Sequence, residues 1–177
     1  RRPSSVNDDD YADKGPVAVT DYIGHRSNKE LKSSRYAKGP IPGTFSLSMS
    51  SVTGNIAFGK SVGALPAGRK AGTATNNGVS PVNGAEQNGP TALINSEAKL
   101  PAHWIQHGSL FNMRLSADSL ATEFGRNRAL SLVKTHFRNN QYHIQFNVLD
   151  DETLQQAQKN PEEYRDLMVR IAGYSAF

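Results

Sequence analysis

Two histidines, His103 and His107, stand four residues apart with Trp104 between them. On a helix this spacing turns both imidazoles to one side, where they could share a metal ion. No third ligand accompanies them, and Pro101 and Gly108 keep the segment short, so packing roles account for them better. Ser46, Ser48, Ser50 and Ser51 interleave with Leu47 and Met49. A serine nucleophile needs a placed base. None is visible, which leaves the polar face of a strand. Gly68-Arg69-Lys70 is half of a phosphate loop without the required spacing. Asp8, Asp9, Asp10 and Asp13 form an acidic cluster. It could hold a cation, but Asn and Asp are also the residues that cap a helix start and suit its positive end. Near the end stands Ala172-Gly173-Tyr174, which taken alone reads as a glycine in a turn.

Pattern along the chain predicts the elements around these residues. Residues 7–38 read as a helix begun by the acidic cluster. Gly39-Pro40-Ile41-Pro42-Gly43 breaks it. Phe45, Leu47 and Met49 then alternate with serines, predicting a strand over 44–52. Residues 54–101 are rich in Gly, Asn and Pro, with turn pairs Asn77-Gly78 and Asn88-Gly89. They read as a long loop, which in a compact domain is functional or packs inside something larger. Phe111, Met113 and Leu115 predict a strand. Ser116 caps a helix over 117–138, with Leu120, Phe124, Leu130, Val133 and Phe137 at helical spacing. Tyr142, Ile144, Phe146 and Val148 alternate as the buried side of a second strand. Asp150 or Asp151 caps a short helix to 158, and Pro161 opens another over 162–168. Pattern alone supports a mixed α/β class.

Of the 177 residues, 37% are hydrophobic, with 15 Gly, 9 Pro and a mean hydropathy of −0.56. This profile suits a piece of a larger protein as well as a whole one. The net charge of +4 is spread among acidic residues rather than gathered in a run, which argues against nucleic acid. There is no cysteine, so disulfides, Cys metal sites and a Cys nucleophile are excluded within these residues. No stretch reaches the length of an apolar membrane span. The start, Arg1-Arg2-Pro3-Ser4-Ser5, lacks a signal-peptide core and an initiator Met. The expectation is a chain that begins mid-protein, from the cytoplasm.

Several blocks in fixed order resemble the glycyl radical enzymes. They are Gly63-Ala64-Leu65-Pro66-Ala67-Gly68-Arg69-Lys70-Ala71-Gly72, Asn77-Gly78-Val79-Ser80-Pro81, and Asn88-Gly89-Pro90-Thr91-Ala92-Leu93-Ile94-Asn95-Ser96. Leu110-Phe111-Asn112-Met113-Arg114, His143-Ile144-Gln145-Phe146-Asn147-Val148 and the stretch Ala157 to Leu167 follow. Last comes Arg170-Ile171-Ala172-Gly173-Tyr174-Ser175-Ala176-Phe177. One departure is Ala67, where the family usually has Asp. The ending after Gly173-Tyr174 is similar to the dehydratase, decarboxylase and lyase branch rather than to pyruvate formate-lyase proper.

The resemblance implies that Gly173 carries a backbone radical. An α-carbon radical is stabilised by its amide nitrogen and carbonyl when the centre flattens, and a residue without Cβ flattens most easily. Arg170, Ala172, Tyr174 and Ser175 are then motif residues supporting the loop, and Ser50 and Ser51 border the substrate channel. The implied fold is the end of a pyruvate formate-lyase-like, ten-stranded α/β barrel over residues 1–58, followed by a glycine radical domain over 59–177. The implied cofactor is the protein-based glycyl radical alone. The implied partners are a small-molecule substrate, a second copy in a homodimer, and an activating enzyme that holds S-adenosylmethionine and a 4Fe-4S cluster. The thiyl-forming cysteine lies outside these residues, the chemistry is anaerobic and oxygen-sensitive, and neither nucleic acid nor membrane takes part. Two alternatives stay open: a stand-alone subunit that replaces an oxygen-damaged radical domain, and an arylsuccinate synthase-type enzyme that forms C–C bonds.

Overall fold

The acidic start does open a helix: α1 spans Asp10–Ser33. Asp9 caps it, its Oδ1 accepting from the N–H groups of Tyr11 at 3.0 Å and Ala12 at 3.1 Å. The computed structural model describes residues 7–33, 46–65, 69–82, 84–171 and 174–176. The end of the expected first helix, the break at 39–43, Phe45 and Ala67 lie outside the described residues.

The strand expected over 44–52 is corrected. Within 46–52 the backbone makes one isolated parallel bridge, Met49 to Ser109. Hydrogen bonds on either side join Leu47 and Met49 to residues 107–110. The ladder cannot lengthen because Gly108 turns its partner with φ +95 and Val52 ends the segment with φ 51.

The long loop expected over 54–101 is also corrected. It contains α2, Gly54–Ser61, and α3, Gly89–Ala98. Helix α3 opens on Pro90 and buries Ala92, Leu93, Ile94, Ser96 and Glu97. A helix buried on most sides has no one-sided apolar stripe, so its sequence does not announce it.

Strands β1, Asn112–Leu115, and β2, Gln145–Val148, pair in parallel, with Met113 opposite Phe146. A parallel pair needs a crossover, and helices supply it. The single helix expected over 117–138 is two: α4, Ala117–Ala121, and α5, Glu123–Arg138. Ser116 caps α4 as expected, accepting from the Ser119 N–H. Thr122 takes an extended conformation, ends α4 and caps α5 by accepting from the Gly125 N–H at 3.1 Å. The junction is close: a Cβ on Gly125 would lie 2.0 Å from the Ser119 carbonyl oxygen. Arg126 Nη1 donates to the carbonyls of Leu120 at 3.0 Å and Ala121 at 2.9 Å, satisfying the end of α4.

The expected inward face of this helix is corrected too. Phe124, Leu130 and Phe137 are exposed, while His136 is wholly buried. Likewise Tyr142 and Val148 are exposed. The core is Leu93, Ile94, Phe111 and Met113, joined by Val79, Leu115, Leu132, Ile144 and Phe146. Burial of Leu93, Ile94, Phe111 and Met113 contributes roughly 2 kcal/mol each, and the partly buried side chains less.

Helix α6 covers Asp151–Lys159 and a 3-10 turn covers Pro161–Tyr164, so only the first turn of the helix expected over 162–168 forms. The Asp150 side chain does not cap α6; its Oδ1 accepts from the Ala117 N–H at 3.1 Å and ties the start of α4 to the end of β2. Strands β3, Val169–Ile171, and β4, Tyr174–Ala176, form an antiparallel hairpin, and β3 packs beside β2. The described residues thus mix helices with two two-stranded sheets.

Candidate functional site

The hairpin register fixes the frame of the C-terminal motif. Val169 pairs with Ala176, Arg170 with Ser175 and Ile171 with Tyr174. Arg170, Tyr174 and Ser175 are thereby brought together on paired strands. Two residues, Ala172 and Gly173, lie between the strands in sequence and fall outside the described residues.

Ser50 and Ser51 belong to a different neighbourhood. Ser50 is exposed. Ser51 Oγ accepts from the Gly78 N–H at 3.0 Å and donates to Asn77 Oδ1 at 3.4 Å. Gly78 is needed there, since its φ is +61 and a Cβ would meet the Leu110 carbonyl oxygen at 2.2 Å. The same turn is stitched to β1: the Val79 N–H donates to Leu110 O at 2.9 Å, and the Asn112 N–H donates to Ser80 Oγ at 2.7 Å. Residues 46–51 and 77–80 therefore form one bonded bed along the start of β1.

Arg69 is buried, and its guanidinium donates to the carbonyls of Lys70 at 3.1 Å and Val62 at 3.0 Å, and to those of Gly63 and Thr73. These bonds direct it at loop carbonyls, not at a phosphate. The two histidines take different neighbours. The ring of His103 tilts against Trp104 with centroids 4.7 Å apart, and His107 Nδ1 meets Ser46 Oγ. Among the described residues no group of three His, Asp or Glu is placed to hold a metal ion.

Two polar clusters form by contacts that no local pattern supplies, Lys99 with the acidic cluster and Glu97 with His136. In the first, Lys99 Nζ lies 3.0 Å from Asp8, 2.7 Å from Asp10 and 2.9 Å from Asp13. The cation of the acidic cluster is a lysine. Asp10 and the other two carboxylates hold the Lys99 ammonium above its usual range, while hydrogen bonds from Asn95 and Lys99 hold the Asp8 carboxyl below its own. Ser96 Oγ donates to Asp13 Oδ2 at 2.8 Å, and Asn7 bonds Ala85, Gln87 and Asn88. In the second, Glu97 and His136 meet in the interior, with Oε2 and Nδ1 3.0 Å apart. Burial pushes the Glu97 carboxyl up, against the pull of His136. The signal available in sequence was a Glu and a Lys inside an otherwise apolar or small-residue stretch, 89–99.

The described residues make a mixed helix and strand unit that ends in a hairpin bracketing Ala172-Gly173. The glycine radical family model matches residues 75–177. This chain belongs to the glycine radical family. It is 41% identical over 177 residues to "Probable dehydratase YbiW" of Escherichia coli (strain K12), covering 99% of this chain and 22% of that one. It is 38% identical over 175 residues to trans-4-hydroxy-L-proline dehydratase of Clostridioides difficile, covering 99% of this chain and 21% of that one. The solved glycerol-bound B12-independent glycerol dehydratase of Clostridium butyricum superposes with a TM-score of 0.82 at 36% identity, over 98% of this chain and 21% of that one. The chain thus spans about a fifth of the length of these relatives. No helix among the described residues is long and apolar enough to cross a membrane.

Proposed function

We propose that this chain is the radical-storing part of a glycyl radical enzyme of the dehydratase and lyase group, with Gly173 as the radical carrier. The observation that carries the reading is the family match over residues 75–177, which contains the run 170–177. Residues 1–58 close a ten-stranded α/β barrel and residues 59–177 form the glycine radical domain. The whole enzyme is a cytoplasmic homodimer working without oxygen.

The chemistry passes one unpaired electron along a chain of sites, a hydrogen atom moving the opposite way at each step. An activating enzyme with S-adenosylmethionine and a 4Fe-4S cluster takes a hydrogen atom from the Gly173 α-carbon. Gly173 regains a hydrogen atom from a cysteine thiol elsewhere in the polypeptide, leaving a thiyl radical. The thiyl takes a hydrogen atom from a small substrate, and the substrate radical then loses water, carbon dioxide or another leaving group. The product radical takes the hydrogen back from the thiol. Arg170, Ala172, Tyr174 and Ser175 hold the glycine loop, and Ser50 and Ser51 border the substrate channel. The bond from the Gly78 N–H to Ser51 supports the role by making a firm bed beside β1. Oxygen must be kept from such a radical, and a closed interior limits side reactions of this kind.

The test is anaerobic activation of the complete enzyme followed by electron paramagnetic resonance. A carbon-centred doublet is expected, and Gly173→Ala abolishes both the doublet and turnover. Normal turnover by that variant would sink the assignment.

A further inference from the structure

Glu97 of α3 and His136 of α5 are 4% and 0% exposed. An interior acid and base facing each other are costly to bury, and removing one leaves the other unmatched. Such a pair is therefore a weak stabiliser but a sharp geometric constraint. Its connections run in one direction. The His136 ring lies parallel to Phe111, with centroids 5.6 Å apart and planes within 9°. The Phe111 carbonyl accepts from the Gln145 N–H at 2.9 Å, which starts the β1–β2 ladder. Strand β3, the first arm of the hairpin on either side of residues 172–173 in sequence, packs beside β2 without joining its ladder. On the other side, Gln141 Nε2 donates to the Glu97 carbonyl at 3.3 Å and the Gln141 N–H to the His136 carbonyl at 3.4 Å, closing the entry to β2 around the same pair.

We propose that Glu97 and His136 are a positioning pair for the glycine hairpin. Their contact fixes α5 on α3, and through Phe111 and the β1–β2 ladder it sets where the hairpin stands relative to the thiol that exchanges hydrogen with it. The proposal rests on the reading of Gly173 as the radical carrier. Hydrogen transfer is steeply sensitive to the distance between donor and acceptor, and displacements of about 1 Å far from the chemistry can lower rates about a hundredfold. Both residues act through the hairpin rather than on substrate.

The experiment uses the complete enzyme, activated without oxygen, and reads three quantities for the parent and for Glu97→Gln: the thermal midpoint, the spin count of the glycyl doublet, and turnover per spin. A merely structural pair would lower the midpoint and leave turnover per spin unchanged at temperatures where the variant is folded. A positioning pair lowers turnover per spin tenfold or more in the folded variant, with KM changed little. If Glu97→Gln does not fold, Glu97→Asp is read in the same way, because a carboxylate one methylene shorter shifts the contact with His136. Turnover per spin within twofold of the parent in either folded variant overturns the proposal. Gly173→Ala separates the two claims. Loss of the doublet leaves the radical assignment standing whatever Glu97 does, whereas a doublet that survives Gly173→Ala overturns the assignment and the positioning role with it.

Discussion

Lys99 Nζ stands 2.9 Å from Oδ2 of Asp13, joining the end of α3 to the first turns of α1. Asp13 is 4% exposed, and Ser96 donates to the same oxygen. Lys99→Met leaves a buried carboxylate without its cation. The expected loss is about 2 kcal/mol, the scale of hydrogen bonds to charged groups. Chemical denaturation of the complete enzyme measures it, and an unchanged midpoint would count against a structural role for the cluster.

The Asn77-Gly78 turn leads to a second expectation. Gly78 has φ +61, and the Leu110 carbonyl oxygen lies 2.2 Å from where an added methyl would stand. Gly78→Ala must therefore displace Leu110 and strain the turn, at a cost of more than ~2 kcal/mol. Gly72→Ala, at φ +75 with open space around it, meets only the backbone penalty of about 1 kcal/mol. Denaturation of both variants makes the comparison. Comparable losses would show that close approach to Leu110 is unimportant.

Acid and alkali should affect the Glu97 site with a defined sign. Burial raises the folded-state pKa of Glu97, so the folded chain holds this proton more tightly than the unfolded chain does. The stability linked to it is complete below the ordinary glutamate range and is lost as pH rises through the raised value. The advantage of the parent over Glu97→Gln in unfolding free energy should therefore shrink from acid towards neutral pH. A constant difference across that range refutes the linkage. Asp8 has the opposite sign, its contribution being present at neutral pH and lost in acid.

Oxygen supplies a direct readout of the radical site. Activated enzyme exposed to air should be cut at Gly173, and mass spectrometry of the product locates the break. An intact mass, after the doublet has been recorded, would contradict the assignment of the radical to this glycine.

Much of this was legible along the chain because it is local. Capping by Ser116 and the start of α1 near Asp9 depend on side chains a few residues from the N–H groups they satisfy. The strands around Met113 and Phe146 are read from alternation. The run 170–177 is a string of adjacent residues, so the family resemblance on which the proposal for Gly173 rests needs no fold. Other features were hidden by tertiary context. Helix α3 is buried on most sides and so shows no apolar stripe. The helix expected over 117–138 breaks at Thr122, where a cap and the tight approach of Gly125 to Ser119 outweigh continuous helical spacing.

Residue types in order are enough for the family blocks, for the glycine at 173 and for the absence of cysteine within these residues. Folding was needed to make Lys99 the cation of the acidic cluster, to set Ser51 under the 77–78 turn, and to bring Glu97 against His136 in the core. Those contacts join residues far apart in the chain, and their strength depends on exclusion of water, which no local pattern records.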